Sequence, residues 1–115
     1  MLVEITHREV DSGVILIQLA GRLMLGKESQ QMETLVMELL AKGHRKFIFD
    51  LAGLTHIDST GIGRFIFSLN KVMQAGGKMM MAGATGHIRE GFKVTRLDTG
   101  FKFFDTVEAA RQALG

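Results

Sequence analysis

Asp58, Ser59 and Thr60 stand in a row, followed by Gly61, Ile62 and Gly63. A carboxylate and two hydroxyls directly ahead of a helical apolar pattern make a place where one covalent change can be read by a partner. A serine at a helix N-terminus sits among outward-pointing backbone N–H groups, at the positive end of the helix dipole. A phosphate on Ser59 would be tolerated there and felt by anything docking on it. Thr60 is a second candidate acceptor. The plainer reading makes Ser59 only the helix N-cap, a role in which Ser, Thr and Asp contribute about 1 kcal/mol. Asp58 is either a cap or turn residue, or a charge neighbour that repels a new phosphate on Ser59.

Gly61 and Gly63 fall in the first turn, where each costs about 1 kcal/mol relative to Ala. Two explanations stand side by side: close packing of the helix on a sheet, or close approach of a partner's backbone. Met24 and Leu25 are large apolar residues in the segment Gly21–Gly26, which reads as a loop near Ser59. They either tuck into the core or form a small apolar patch for a partner. Met24 and Ile62 are thus candidate contacts, together with Asp58, Thr60, Gly61 and Gly63.

Other chemistry finds little support. His56 and His87 invite a serine-hydrolase triad, but the chain lacks a G-x-S-x-G elbow. His56 also precedes Ser59 by only three residues, an awkward place for a base. Loop histidines near the surface are the simpler account. His7, His44, His56 and His87 show no metal-ligand spacing. Gly76-Gly77 and Gly83-Ala84-Thr85-Gly86 lack the Lys-Ser/Thr of a phosphate-binding loop and read as turns. Met79-Met80-Met81 alternates across a strand and reads as packing on its two faces. No catalytic residue, metal or cofactor is expected.

The elements that must position the Asp58–Gly63 segment follow from apolar periodicity. A weak apolar pattern before Asp11-Ser12-Gly13 and the run Val14 to Leu19 predict an antiparallel hairpin. Met32, Leu35, Val36, Leu39 and Leu40 recur at helical spacing, and Gly43 ends that helix. Phe47 to Leu51 predicts a strand buried on both faces, followed by a loop from Ala52 to Asp58. The next helix runs from about Ser59 to Gln74, with Ile62, Phe65, Ile66, Leu69 and Met73 inward. Lys78 to Ala82 is a strand, His87 to Val94 a short helix with Ile88 and Phe92 inward, and Phe101 to Phe104 an edge strand. Asp105 with Glu108 predicts a capping box for a last helix whose inner side is Val107, Ala110 and Leu114. The result is an α/β fold, a small mixed sheet of about four to five strands with flanking helices. The loops at Gly21–Gly26, 52–58 and 83–86 should meet beyond the strands' carboxyl ends.

At 115 residues the chain is expected to be one domain, 1–115, with one substantial core. No apolar run approaches the roughly 18 to 20 residues of a membrane span, and no signal peptide is apparent, so membrane insertion is not expected. There is no cysteine, which suits a cytoplasmic setting and leaves no disulfide or thiolate site. The formal net charge is only +2, Lys and Arg are scattered, and Trp and Tyr are absent, so direct nucleic-acid binding is not expected.

These residues resemble the STAS domain, the family of bacterial anti-sigma-factor antagonists. The resemblance rests on Leu19-Ala20-Gly21-Arg22-Leu23, Phe47-Ile48-Phe49-Asp50-Leu51, Ile57-Asp58-Ser59-Thr60-Gly61-Ile62-Gly63, Gly76-Gly77-Lys78 and the final helix. It implies no enzymatic activity and a phosphoacceptor at Ser59. It also implies two partners: a serine-kinase anti-sigma factor, which binds the unmodified protein and phosphorylates it, and a phosphatase that restores binding. One departure is visible. Many of these antagonists carry a Gly-Glu-Leu-Asp-like element where this chain has Gly21-Arg22-Leu23-Met24. The alternative is a non-switching STAS interaction subunit of a signalling scaffold or an inner-membrane lipid transport complex. An enzyme or nucleotide-binding protein ranks below both.

Overall fold

A computed structural model describes residues 3–11, 13–24, 26–94 and 101–114, with Lys27, Glu28 and Val94 described by backbone alone. The strands are β1 (Glu4–Asp11), β2 (Val14–Leu23), β3 (Lys46–Ile57), β4 (Lys78–Ala82) and β5 (Lys102–Phe104). The helices are α1 (Lys27–Ala41), α2 (Ser59–Gln74), α3 (Gly86–Val94) and α4 (Val107–Leu114). The strands form one mixed sheet in sequence order. β1 and β2 are antiparallel, as expected, and every later neighbour is parallel. The hairpin closes with Asp11 opposite Val14 and Gly13 at φ 81°. Ser12 of the expected turn lies outside the described residues.

The period of two sorts side chains between unequal faces. Ile15, Ile17, Leu19, Phe47, Phe49, Leu51, Met79 and Met81 enter the larger core, which also holds Met32, Val36, Ile62, Phe65, Ile88 and Phe92 from α1, α2 and α3. Val14, Leu16, Ile48, Met80 and Ala82 meet Ala110 and Leu114 of α4 on the other side. The three consecutive methionines therefore pack on both faces. An aromatic chain ties the helices together: Phe49 meets Phe65 at 5.4 Å between ring centroids, Phe65 meets Phe92 at 5.6 Å, and Phe92 meets Phe101 at 5.4 Å. Such offset or edge-on pairs add about 0.5–1.5 kcal/mol each beyond buried area.

Several expected boundaries move. The segment Gly21 to Leu23 and the segment Ala52 to Ile57 are strand, not loop. β4 leaves β3 at Asp50, so the rest of β3 pairs only with β2. That extension is exposed at Ala52, Gly53, Thr55 and His56, which is why it lacks the apolar signature of a central strand. Two register shifts, at Gln18/Ala20 and Gly21/Arg22, each give β3 one extra residue. Bulges of this kind bend a strand and re-aim its side chains. Met73, expected inward, is 61% exposed at the C-terminal end of α2. The expected Asp105–Glu108 capping box is absent: Thr106 caps α4, its Oγ1 accepting from Ala109 N at 3.1 Å. Gly43 does end α1, at φ 99°.

Candidate functional site

The sequence places a helix start at Ser59, and α2 begins there. The capping role falls on Asp58, not on Ser59. Asp58 has extended backbone (φ −114°), its Oδ1 accepts from Gly61 N at 2.8 Å, and its carbonyl accepts from Ile62 N at 3.0 Å. Ser59 is consequently the first helical residue, exposed, and its hydroxyl makes no hydrogen bond among the described residues. The first turn of α2 contains no acidic residue. Its uncapped N–H groups leave a positive end beside the Ser59 hydroxyl. Thr60 is half-buried and less accessible.

The remaining candidates separate by depth. Gly61 is buried. A Cβ there would run into the carbonyl oxygen of Leu23 and lie 2.9 Å from Ile57 Cγ1. Its small size serves internal packing, the first of the two explanations open for it. Ile62 is 3% exposed and belongs to the core, so its side chain offers nothing to a partner. Gly63 is exposed, and a Cβ there would meet nothing within 4 Å. Met24 is half-buried directly after β2, while Leu25 lies outside the described residues. The available surface around Ser59 is therefore Ser59, Gly63 and part of Asp58, Met24 and Thr60.

The expected meeting of three segments occurs. Leu23 pairs with Ile57, and the Asp58 N–H reaches the Leu23 carbonyl at 3.4 Å. Gly83 faces Ala52, with a notional Cβ 3.1 Å from the Ala52 backbone nitrogen. His87 Nε2 of α3 bonds to the Thr55 carbonyl. The same threonine donates its hydroxyl to Gly21 O at 3.1 Å and accepts from His56 Nδ1 at 2.9 Å. The histidine rings lie 5.8 Å apart. Both are surface residues, as expected, and both converge on Thr55 rather than on Ser59, which argues against a nucleophile–base pair.

Sequence reasoning missed Arg64. Its Nε donates to Ser29 Oγ at 3.1 Å and its guanidinium reaches Glu33 Oε1 at 3.2 Å, joining α2 to the first turns of α1. Ser29 Oγ in turn donates to Gly26 O at 2.8 Å. This chain of bonds sets Gly26 and Ser29 against the Ser59 helix. An arginine between apolar helix residues carries no periodic signal, and its partners are about thirty residues away, so nothing local announces it. Among the described residues, no group of three or more His, Cys, Asp or Glu could hold a metal ion, and no helix is long and apolar enough to cross a membrane.

Comparison with known proteins agrees with this geometry. The chain is 24% identical over 110 residues to BtrV of Bordetella bronchiseptica, a protein named as an anti-sigma factor antagonist, covering 96% of this chain and 93% of the relative. The fold is similar to a Thermotoga maritima protein described as an anti-sigma factor antagonist (TM-score 0.87, 22% identity, 96% of this chain and 93% of that one). It is also similar to the Bacillus cell fate determinant SpoIIAA in its phosphorylated form (TM-score 0.75, 17% identity, 96% and 99% coverage). Residues 6–110 match the STAS domain, so the chain belongs to the STAS family.

Proposed function

We propose that this protein is a cytoplasmic anti-sigma-factor antagonist, switched by reversible phosphorylation of Ser59. The observation that carries the reading is the division of labour at the start of α2: Asp58 takes the cap, and Ser59 is left exposed, its hydroxyl making no hydrogen bond among the described residues. The unmodified form would bind a serine-kinase anti-sigma factor over the exposed surface around Ser59, Asp58, Gly63 and Met24. The kinase would transfer a phosphoryl group to Ser59 Oγ, and a phosphatase would remove it. A phosphate adds about −1.5 to −2 charge at pH 7. Beside the Asp58 carboxylate and inside a contact surface, that charge would oppose docking without touching the core. SpoIIAA, a structural relative, exists in both phosphorylated and unphosphorylated forms, which supports the same chemistry here.

A second reading, the non-switching interaction subunit, is favoured by one observation. Arg22 is exposed and pairs in register with His56, so the surface beside Ser59 carries a cation where many antagonists are acidic. Phosphopeptide mass spectrometry on protein isolated from its native cell separates the two. A phosphate on Ser59 that varies with growth condition supports the switch; no modification under any condition supports the constitutive subunit. Once the partner is captured, Ser59→Asp should weaken binding by about tenfold or more, equivalent to about 1.4 kcal/mol, while Ser59→Ala should bind constitutively. Equal binding by both variants and wild type would sink the switch.

A further inference from the structure

Among the described residues, nothing pairs with the outer edge of β1. β1 is the first strand of the sheet, paired only with β2. Glu4, Thr6, His7, Arg8 and Glu9 are all exposed, and only Ile5 and Val10 are partly covered. The ion pairs among the described residues are Arg64–Glu33, Arg111–Asp11 and Arg111–Glu108, so Glu4 and Arg8 have no charged partner among the described residues. Exposed edge charges commonly guard a sheet against foreign strands. The order of the charges here does something more specific.

We propose that β1 pairs antiparallel with β1 of a second copy about a two-fold axis at Thr6, joining the two sheets into one. Backbone groups on a strand point outward at every other residue, so a symmetric pair must match residues of the same parity. That restricts the axis to a residue. Centred on Thr6, Glu4 faces the partner's Arg8, Thr6 faces its counterpart, and Arg8 faces the partner's Glu4. Opposite charges and Thr–Thr pairs directly across an antiparallel ladder are both favourable. Centred on His7, Glu9 opposes Ile5 and Glu4 opposes Val10, with no ion pair. Centred on Arg8, the two guanidinium groups confront each other. Of these three registers, only the one centred on Thr6 sets Glu4 opposite Arg8, at both ends of the pair; Glu9 then lies opposite Val3.

The sheet surface offers room for the arriving arginine. Glu4, Thr6 and Arg8 share a face by the period of two, the same face as Gln18 and Asp50. Glu4, Thr6, Gln18 and Asp50 contribute to the lining of a hollow of about 250 Å³ there. The Glu4 side of that hollow would receive the partner's Arg8. Two-fold symmetry makes the contact isologous and self-limiting: it closes at a dimer. Because this edge is remote in sequence from Ser59, the proposal is independent of the switch.

The test is sedimentation equilibrium of the full chain across a wide concentration range, with three variants. Wild type should show a concentration-dependent mass doubling. Glu4→Arg and Arg8→Glu should each weaken dimerisation at least tenfold, since each puts like charges opposite one another. The double variant E4R/R8E, which restores opposite charges in the Thr6 register, should regain the wild-type dimer. Recovery in the double variant also shows that the single variants had not merely misfolded. A wild type that stays monomeric at all concentrations, or single variants that dimerise like wild type, overturns the proposal. Failure of the double variant to recover overturns the Thr6 register.

Discussion

Gly61 sits against the backbone carbonyl of Leu23, closer than any side chain would allow. The last residue of β2 thereby meets the first turn of α2, and the position of Ser59 is tied to that contact. Gly61→Ala should destabilise the protein by about 1–3 kcal/mol, the usual cost of overpacking. Gly63→Ala, in open space on the same helix, should be neutral or stabilising by up to about 1 kcal/mol. Urea denaturation of the two variants checks the contrast. Equal midpoints would mean that the Leu23 carbonyl yields without cost.

The cap assignment makes a second contrast. Asp58→Ala removes the acceptor for Gly61 N and should cost about 1 kcal/mol, with Asp58→Asn closer to wild type. Ser59→Ala should change stability by less than about 0.5 kcal/mol, as expected of an exposed residue with no structural partner. Thermal denaturation reads both. A large loss for Ser59→Ala would restore the serine to a capping role.

Acid sensitivity should trace in part to Asp11. Arg111 donates to both of its carboxylate oxygens, at 2.8 and 2.7 Å, and joins β1 to α4. These hydrogen bonds, with the guanidinium charge, hold the Asp11 carboxyl below its ordinary pKa. The folded state therefore binds this proton less readily than the unfolded chain. The contribution is complete above the unfolded carboxylate pKa, about 3.9, and fades as pH falls through the lower folded value. Asp11→Asn should thus lower the unfolding midpoint at neutral pH, and the gap to wild type should close in acid. Urea midpoints measured from pH 7 down to pH 3 test this. A gap that is constant with pH would assign the loss to something other than the charge, and added salt should shrink it because the pair is exposed.

Much of the architecture was legible because burial imposes periods. Phe47 to Phe49 and Met79 to Ala82 are buried on both faces and read as apolar runs. Ile62 and Phe65 mark the inner stripe of α2. The signal faded where burial did. The extension of β3 past Asp50 carries exposed Ala52, Gly53, Thr55 and His56, so its hydrogen-bonded pairing with β2 left no hydrophobic trace. Met73 shows the converse error: its spacing matched the stripe, but it projects at the end of α2, where it is 61% exposed.

By itself the sequence determined the elements, the mixed sheet, the Asp-Ser-Thr-Gly junction and the family, because helix and strand periods and local turn chemistry are written in neighbouring residues. Tertiary structure alone decided the division of the junction: Asp58 as cap, Ser59 as exposed hydroxyl, Gly61 as packing and Gly63 as open surface. It also decided the Arg64 bridge to Ser29 and Glu33 and the meeting of His56 and His87 on Thr55. The Asp58 cap is a local bond for which neighbouring residues were rival candidates, but the Gly61 packing, the Arg64 bridge and the histidine meeting depend on which backbone lies across from which, over separations of about thirty residues or more. Local sequence carries no record of such distances; only the folded chain brings them into contact.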